Sequence, residues 1–194
     1  ALAEAGVEYA ALGNNHVFDA LTPGLDETTR ALDEAGVSYS GAGGSSEAAW
    51  EPAYLEERGL TVGMVSCTTI SGGGYNVDWP ADGADEEYSF TQEIDGQNET
   101  ISFSGGVGVA EPTEKRIAEG VLEANENADV TVVQIHGGEE YQRSPTDEIE
   151  DLTEAASEAG ADIVVNHHPH VTGGLEFRGG TLVAWTLGNL VFDQ

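Results

Sequence analysis

Positive charge is scarce in this chain. One lysine, Lys115, and five arginines stand against 36 Asp and Glu, for a formal net charge of −30. Nucleic-acid binding depends on Lys and Arg displacing phosphate counterions, so DNA and RNA are excluded as partners. Anionic membrane surfaces are disfavoured for the same reason. The only cysteine, Cys67, can form no intrachain disulfide, and its setting in Val62-Gly63-Met64-Val65-Ser66-Cys67 reads as a buried, inert thiol. No apolar run approaches the ~18 residues of a membrane-spanning helix. Neither a Walker phosphate loop nor G-x-G-x-x-G occurs, and Ser66 and Cys67 lack the G-x-S-x-G setting of an activated nucleophile.

Acidic chains that stay disordered are poor in apolar and β-branched residues. Here 39% of residues are hydrophobic, in compact runs such as Val130-Thr131-Val132-Val133 and Ile163-Val164-Val165. The chain therefore folds, and 194 residues suit one domain. The acidic coat, with its near-absence of lysine and its abundant Ala, Gly, Val and Thr, resembles that of proteins adapted to high salt.

Strand and helix patterns alternate. Strands are expected at Val7 to Leu12, Val37 to Ser40, Ala53 to Glu57, Leu60 to Thr69, Val130 to Ile135 and Ile163 to Val165. Val171 to Phe177 and Thr181 to Leu187 read as a hairpin around Gly179-Gly180. Helices are expected from Leu21 to Ala35 (stopped by Gly36), from about Pro112 to Asn127, and from Pro145 to Ala159 (closed by Gly160). Residues 71–106 break the pattern and read as an irregular acidic insertion or lid carrying one hairpin. The fold class is α/β (α+β) in one domain.

The five histidines, His16, His136, His167, His168 and His170, all fall just past the carboxyl ends of apolar strands. Ligands and catalytic groups gather at those ends in sheets flanked by helices. Imidazoles with carboxylate or amide oxygens build hydrolytic metal centres with Mn, Fe, Zn or Mg. His168 and His170 alternate on an extended segment stiffened by Pro169, which aims them at neighbouring metals. Asn15 adds an amide oxygen beside His16. Asp19 either caps the helix from Leu21 or orients His16. Glu140 and Tyr141 shape access to substrate or are solvated, and Asn189 follows the last apolar strand.

These residues, taken in order, resemble the CapA family of poly-γ-glutamate (capsule) synthesis proteins, with a metallophosphatase-like, calcineurin-type fold. The matches are Asn14-Asn15-His16-Val17-Phe18-Asp19, Gly24-Leu25 with Thr28, Gly41-Ala42-Gly43, His136-x-Gly138-x-Glu140-Tyr141 with Pro145, Gly160-Ala161-Asp162, His167-His168-Pro169-His170-Val171, and Leu187-Gly188-Asn189 with Val191-Phe192-Asp193. The resemblance implies a four-layer αββα sandwich of two mixed sheets. It also implies an Asn ligand at Asn15, a catalytic His at His16, a lone metal-ligating His at His136, and His168 and His170 each on a different metal. His167 beside them takes a catalytic role that is either supporting or substrate-facing. Two departures stand out: Gly137 where the family usually has Trp, and Asn166 where it has Gly, a change softened because Asn tolerates positive φ.

The resemblance further implies a preceding first strand with an Asp-bearing metal motif, so the chain reads as a domain truncated at both ends. Two divalent ions are then expected in the full-length protein and at most one here. Localisation is undetermined; an extracytoplasmic or membrane-anchored protein fits a segment missing before Ala1. The implied activity is metal-dependent hydrolysis of a phosphoester or polymer bond, with two metals clamping the attacking and leaving oxygens and His16 protonating the leaving group. The alternative is a non-enzymatic component that binds or exports an anionic polymer in a membrane-associated capsule-synthesis complex.

Self-repulsion at −30 is screened within ~3 Å in 1 M salt. Stability to chemical unfolding is therefore expected to rise steadily from 0.1 M to 2 M KCl; equal stability at the two ends of that series would overturn the high-salt reading.

Overall fold

The computed structural model describes residues 2–17, 19–70, 88–94, 97–103 and 108–190. Among the described residues, twelve strands and four α-helices follow a short 3-10 turn at Ala3–Ala5. The strands are β1 (Tyr9–Ala11), β2 (Ser38–Ser40), β3 (Ala42–Gly43), β4 (Ala53–Glu57), β5 (Leu60–Thr68), β6 (Tyr88–Ile94), β7 (Gln97–Phe103), β8 (Gly108–Val109), β9 (Val130–His136), β10 (Ile163–His167), β11 (Leu175–Arg178) and β12 (Thr181–Ala184). The helices are α1 (Leu21–Ala35), α2 (Ser46–Trp50), α3 (Glu114–Asn125) and α4 (Asp147–Glu158).

The main sheet has six strands in the order β11-β12-β10-β9-β5-β4. Its four inner strands are mutually parallel, and β4 and β11 add antiparallel edges. Parallel neighbours require crossovers, and α3 and α4 supply those leading into β9 and β10. Both helices pack on one face. Ile117, Val121 and Ala124 of α3 and Ile149, Leu152 and Ala156 of α4 bury against Val65, Cys67, Val133, Ile135, Val164 and Val183 of the sheet. Cys67 is fully buried, and burial holds its thiol pKa above the usual range.

A second layer covers part of the opposite face. The parallel pair β1–β2 forms its own core with α1 from Leu12, Leu25, Leu32, Val37 and Ala42. Side chains alternate along β5, so Met64 and Ser66 face this layer while Val65 and Cys67 face α3 and α4. The seam is polar and close. Tyr9 Oη lies 2.7 Å from Ser40 Oγ, Ser40 Oγ donates to the Met64 carbonyl at 3.0 Å, and Gly13 N donates to Ser66 Oγ at 3.2 Å. Burial pushes the Tyr9 hydroxyl pKa up to about 12. The fold is thus mixed α/β, layered as helices, a six-stranded mixed sheet, a small sheet and a helix. Among the described residues the second sheet is a parallel pair, smaller than the mixed sheet expected for a full sandwich.

Helix α1 matches its expected span, and Gly36 ends it at φ 68°. The other two long helices are shorter than expected because threonines cap them: Thr113 Oγ1 accepts from Arg116 N and Thr146 Oγ1 from Ile149 N, leaving Pro112 and Pro145 outside. Helix α2, capped by Ser45, and the β3–β8 pair were not expected. Within 71–106 the hairpin is β6–β7; the rest of the expected insertion or lid lies outside the described residues. Beyond Leu175 and Ala184 the two arms of the C-terminal hairpin stay joined as far as the isolated bridge Thr172 to Leu187.

The seam yields a direct test. A Cβ at Gly13 would lie 2.6 Å from Cys67 N and 2.7 Å from both Cys67 Cα and Ser66 Oγ, in a region of backbone that cannot yield. Gly13→Ala is expected to cost about 1–3 kcal/mol in chemical unfolding, as overpacking does, and a variant as stable as the parent would contradict this account of how the two layers join.

Candidate functional site

Register builds the site. Strands β9 and β10 pair with His136 opposite His167, and both are the last residues of their strands, which run one and two residues further than the sequence pattern predicts. Parallel neighbours in register present their side chains to the same face. The two imidazoles therefore meet, with ring centroids 4.7 Å apart and Nδ1 to Nδ1 at 2.7 Å. His136 is 8% exposed.

Three donors converge on the far side of His136. Its Nε2 lies 2.9 Å from Asn15 Oδ1 and 3.1 Å from His168 Nδ1. Asn15 comes from the loop after β1, which Gly13 anchors on β5. His168 reaches the same point through an unusual backbone, φ 106°; His170 has φ 62° and Tyr141 φ 63°. Non-glycine residues in this region are strained, and such strain concentrates where side chains must be aimed. His168 and His170 are therefore not on an extended segment as expected; left-handed turns aim them, with ring centroids 5.8 Å apart. Asn166 does not use positive φ either. It sits buried in β10, its Nδ2 donating to Thr153 Oγ1 of α4 at 3.3 Å.

The remaining candidates form an exposed rim. His16 Nδ1 lies 2.8 Å from Asp19 Oδ2, so Asp19 orients His16; helix α1 has Ala20 at its N-cap with no side-chain cap. Asn14, which the sequence reading did not single out, accepts from His16 N through Oδ1 at 2.9 Å. The Asn-Asn pair at a turn was the available signal. His170 Nδ1 pairs with Asn189 Oδ1 at 3.0 Å. Tyr141 N donates to the Pro169 carbonyl at 2.8 Å, and its exposed ring lies 6.3 Å from that of His170. Glu140 is near enough for its carboxylate to favour a charged His168. Gly137 is matched to its surroundings: a Cβ there would lie 2.6 Å from Ile149 Cδ1 and collide with Thr69 Oγ1, so a larger residue requires those two side chains to shift.

Burial, then the neighbouring His167 and His168, pushes the His136 pKa down to about 2. Burial and His168 push that of His167 down to about 4, and burial lowers that of His168. The cluster is thus a set of neutral imidazoles, the protonation state that binds metals. Among the described residues no group of three or more His, Cys, Asp or Glu is arranged to hold an ion. The convergent set is instead two imidazoles and an amide oxygen. Ligand atoms sharing one ion at about 2.1 Å lie roughly 3.0–3.4 Å apart, which the two spacings from His136 Nε2, to Asn15 Oδ1 and to His168 Nδ1, match within 0.1 Å. These three residues could hold one divalent ion completed by solvent.

An imidazole held neutral by the fold destabilises it in acid, because the unfolded state takes up protons first, near pH 6.5. Metal-free protein is expected to lose stability as pH falls from 6.5 towards 4, by up to roughly 1.4 kcal/mol per pH unit for each of His136 and His167. Denaturant unfolding at pH 6.5 and 5.0 should show a smaller drop in a His136→Asn, His167→Asn double variant; equal drops would contradict the assignment.

Residues 1–194 match the family described as Bacterial capsule synthesis protein PGA_cap. The chain is 33% identical over 182 residues to the PGA biosynthesis protein CapA of Bacillus subtilis (strain 168), covering 93% of this chain and 41% of that protein. It is 32% identical over 194 residues to the capsule biosynthesis protein CapA of Bacillus anthracis, covering 100% of this chain and 42% of that protein. The chain thus spans about two-fifths of the length of these relatives. It belongs to the bacterial capsule synthesis protein family, PGA_cap.

Proposed function

We propose that this domain holds a divalent cation at Asn15, His136 and His168 and hydrolyses a phosphoester or polymer bond during capsule synthesis. The observation that carries the reading is the convergence of Asn15 Oδ1 and His168 Nδ1 on His136 Nε2, at 2.9 and 3.1 Å. A bound cation would supply Lewis-acid polarisation of a phosphoryl or carboxylate oxygen. His170, oriented by Asn189, stands at the rim, where the resemblance implies a second ion completed by residues outside this chain.

The chain's own residues do the proton work. Asp19 accepts from His16 Nδ1–H, which leaves Nε2 as the atom that gives or takes a proton. His16 is 71% exposed by side chain, so a leaving group can reach it. The −30 surface repels an anionic substrate, and charge brought by a cation at the site would offset that repulsion locally. CapA of Bacillus subtilis carries PGA biosynthesis in its name, which favours an anionic polymer as the substrate class.

His16→Ala is the discriminating variant. In the full-length protein with Mn²⁺, assayed on a phosphodiester and on poly-γ-glutamate, it is expected to lose at least about 100-fold in turnover, the usual contribution of a positioned general acid. Its Mn²⁺ affinity should stay within about twofold of the parent, since His16 is not among the three converging donors. A variant that binds polymer as well as the parent, in a protein that turns over neither substrate, would replace hydrolysis with the polymer-binding role.

A further inference from the structure

Six cationic side chains stand among 36 Asp and Glu, so every cation has carboxylates to choose from. Five of the six have one within 3.9 Å: Arg30 with Glu27 and Glu34, Arg58 with Glu57, Lys115 and Arg116 with Glu119, and Arg178 with Glu150 and Glu176. Arg143 is the exception. It is exposed, and its guanidinium makes no ion pair among the described residues, although Glu139, Glu140, Asp147 and Glu148 flank it in the sequence. A planar fork of N–H donors that can only donate is left facing solvent.

Its place in the fold is the second observation. Arg143 lies in the loop leading from His136 to α4, and that loop is pinned to the histidine turn. Tyr141 N donates at 2.8 Å to the carbonyl of Pro169, which stands between His168 and His170. The Arg143 carbonyl packs on Gly173, 3.2 Å from where a Cβ on that glycine would sit. Beside Gly173, Thr172 bridges to Leu187, close in the chain to Asn189, the partner of His170. The Thr146 cap of α4 holds the loop's other end. The base of the Arg143 side chain is therefore fixed next to the segment that carries His170, at the same end of the sheet as the candidate cation site but outside its three donors.

We propose that Arg143 is a second anion-binding point on this rim. It takes a carboxylate of a polyanionic chain while a neighbouring unit of the same chain reaches the cation held by Asn15, His136 and His168. A guanidinium can give two parallel N–H bonds to one carboxylate. Two separated positive points suit a substrate that repeats its anionic group, whereas a single small anion occupies only one of them. The −30 surface repels such a chain elsewhere, so the few positive groups set where it attaches. Joining the two attachments through one chain makes the second intramolecular, which raises affinity beyond either contact alone. The inference deepens the anionic-polymer reading of the preceding section and rests on it.

The test compares Arg143→Gln with Arg58→Gln in the full-length protein with Mn²⁺. Both remove one positive charge, but Arg58 sits at the turn between β4 and β5, at the end of the sheet away from the histidines. Titration with labelled poly-γ-glutamate should show affinity about 10-fold weaker in Arg143→Gln, the scale of a charge-assisted hydrogen bond, and within about twofold of the parent in Arg58→Gln. The KM for a small monoanionic phosphodiester should rise at least fivefold less than the polymer Kd does. Polymer bound by Arg143→Gln as tightly as by the parent, or weakened equally by both substitutions, overturns the proposal. So does an equal loss on polymer and phosphodiester, which would put Arg143 in the hydrolytic centre itself. A parent that binds no polymer also overturns it, whatever else that protein hydrolyses. Polymer bound through Arg143 in a protein that hydrolyses neither substrate leaves this anion-binding point standing and overturns hydrolysis alone.

Discussion

The parallel register of β9 and β10 is the constraint on which the rest of the site depends. Each strand is an apolar run ending in a histidine, and pairing them in register sets His136 beside His167 with no loop intervening. A slip of one residue would turn either imidazole to the opposite face, into the apolar layer with Ile149 and Val164. Ile135, Val133 and Val164, all fully buried under α3 and α4, hold the register by hydrophobic burial. The chemistry on one face is thus secured by packing on the other.

The second constraint is closeness. The loop that brings Asn15 and His16 to the histidines belongs to the small sheet, and that sheet can approach only because Gly13 and Gly41 carry no side chains where they meet Cys67, Ser66 and each other. Gly137 serves the same end below the histidines, where Thr69 and Ile149 fill the space. Three glycines at three contacts therefore decide how near three donors come to one point. The positive φ values of His168 and His170 aim the imidazoles from a segment that follows the strand, at a cost in backbone strain that the surrounding packing sustains.

Much of this was legible in the sequence. Apolar runs such as Val130 to Ile135 and Ile163 to Val165 marked the inner strands because buried parallel strands are apolar on both faces, and Gly36 marked the end of α1 by the left-handed conformation it adopts. Clustering of histidines at strand ends pointed to the site. The particular geometry was not legible. Nothing in Asn166-His167-His168-Pro169-His170 signals that positive φ falls on His168 and His170 rather than on Asn166, since histidines in that conformation are held there by tertiary contacts. Nor could spacing reveal that His167 faces His136, which follows from the partner strand's register. The five-residue α2 was missed because it is a single capped turn, and the thread of Asn14 holding His16 N is a turn feature with a weak local signal. The family relationship covers the whole chain, while the relatives extend well beyond it.

The central claim is that Asn15, His136 and His168 form a single cation site. Anomalous scattering from crystals of the full-length protein soaked in Mn²⁺ tests it most directly. The account predicts a Mn peak bonded to Asn15 Oδ1, His136 Nε2 and His168 Nδ1 together. A peak that leaves out His136, or fully occupied Mn elsewhere with these three atoms still hydrogen-bonded to one another, would contradict it.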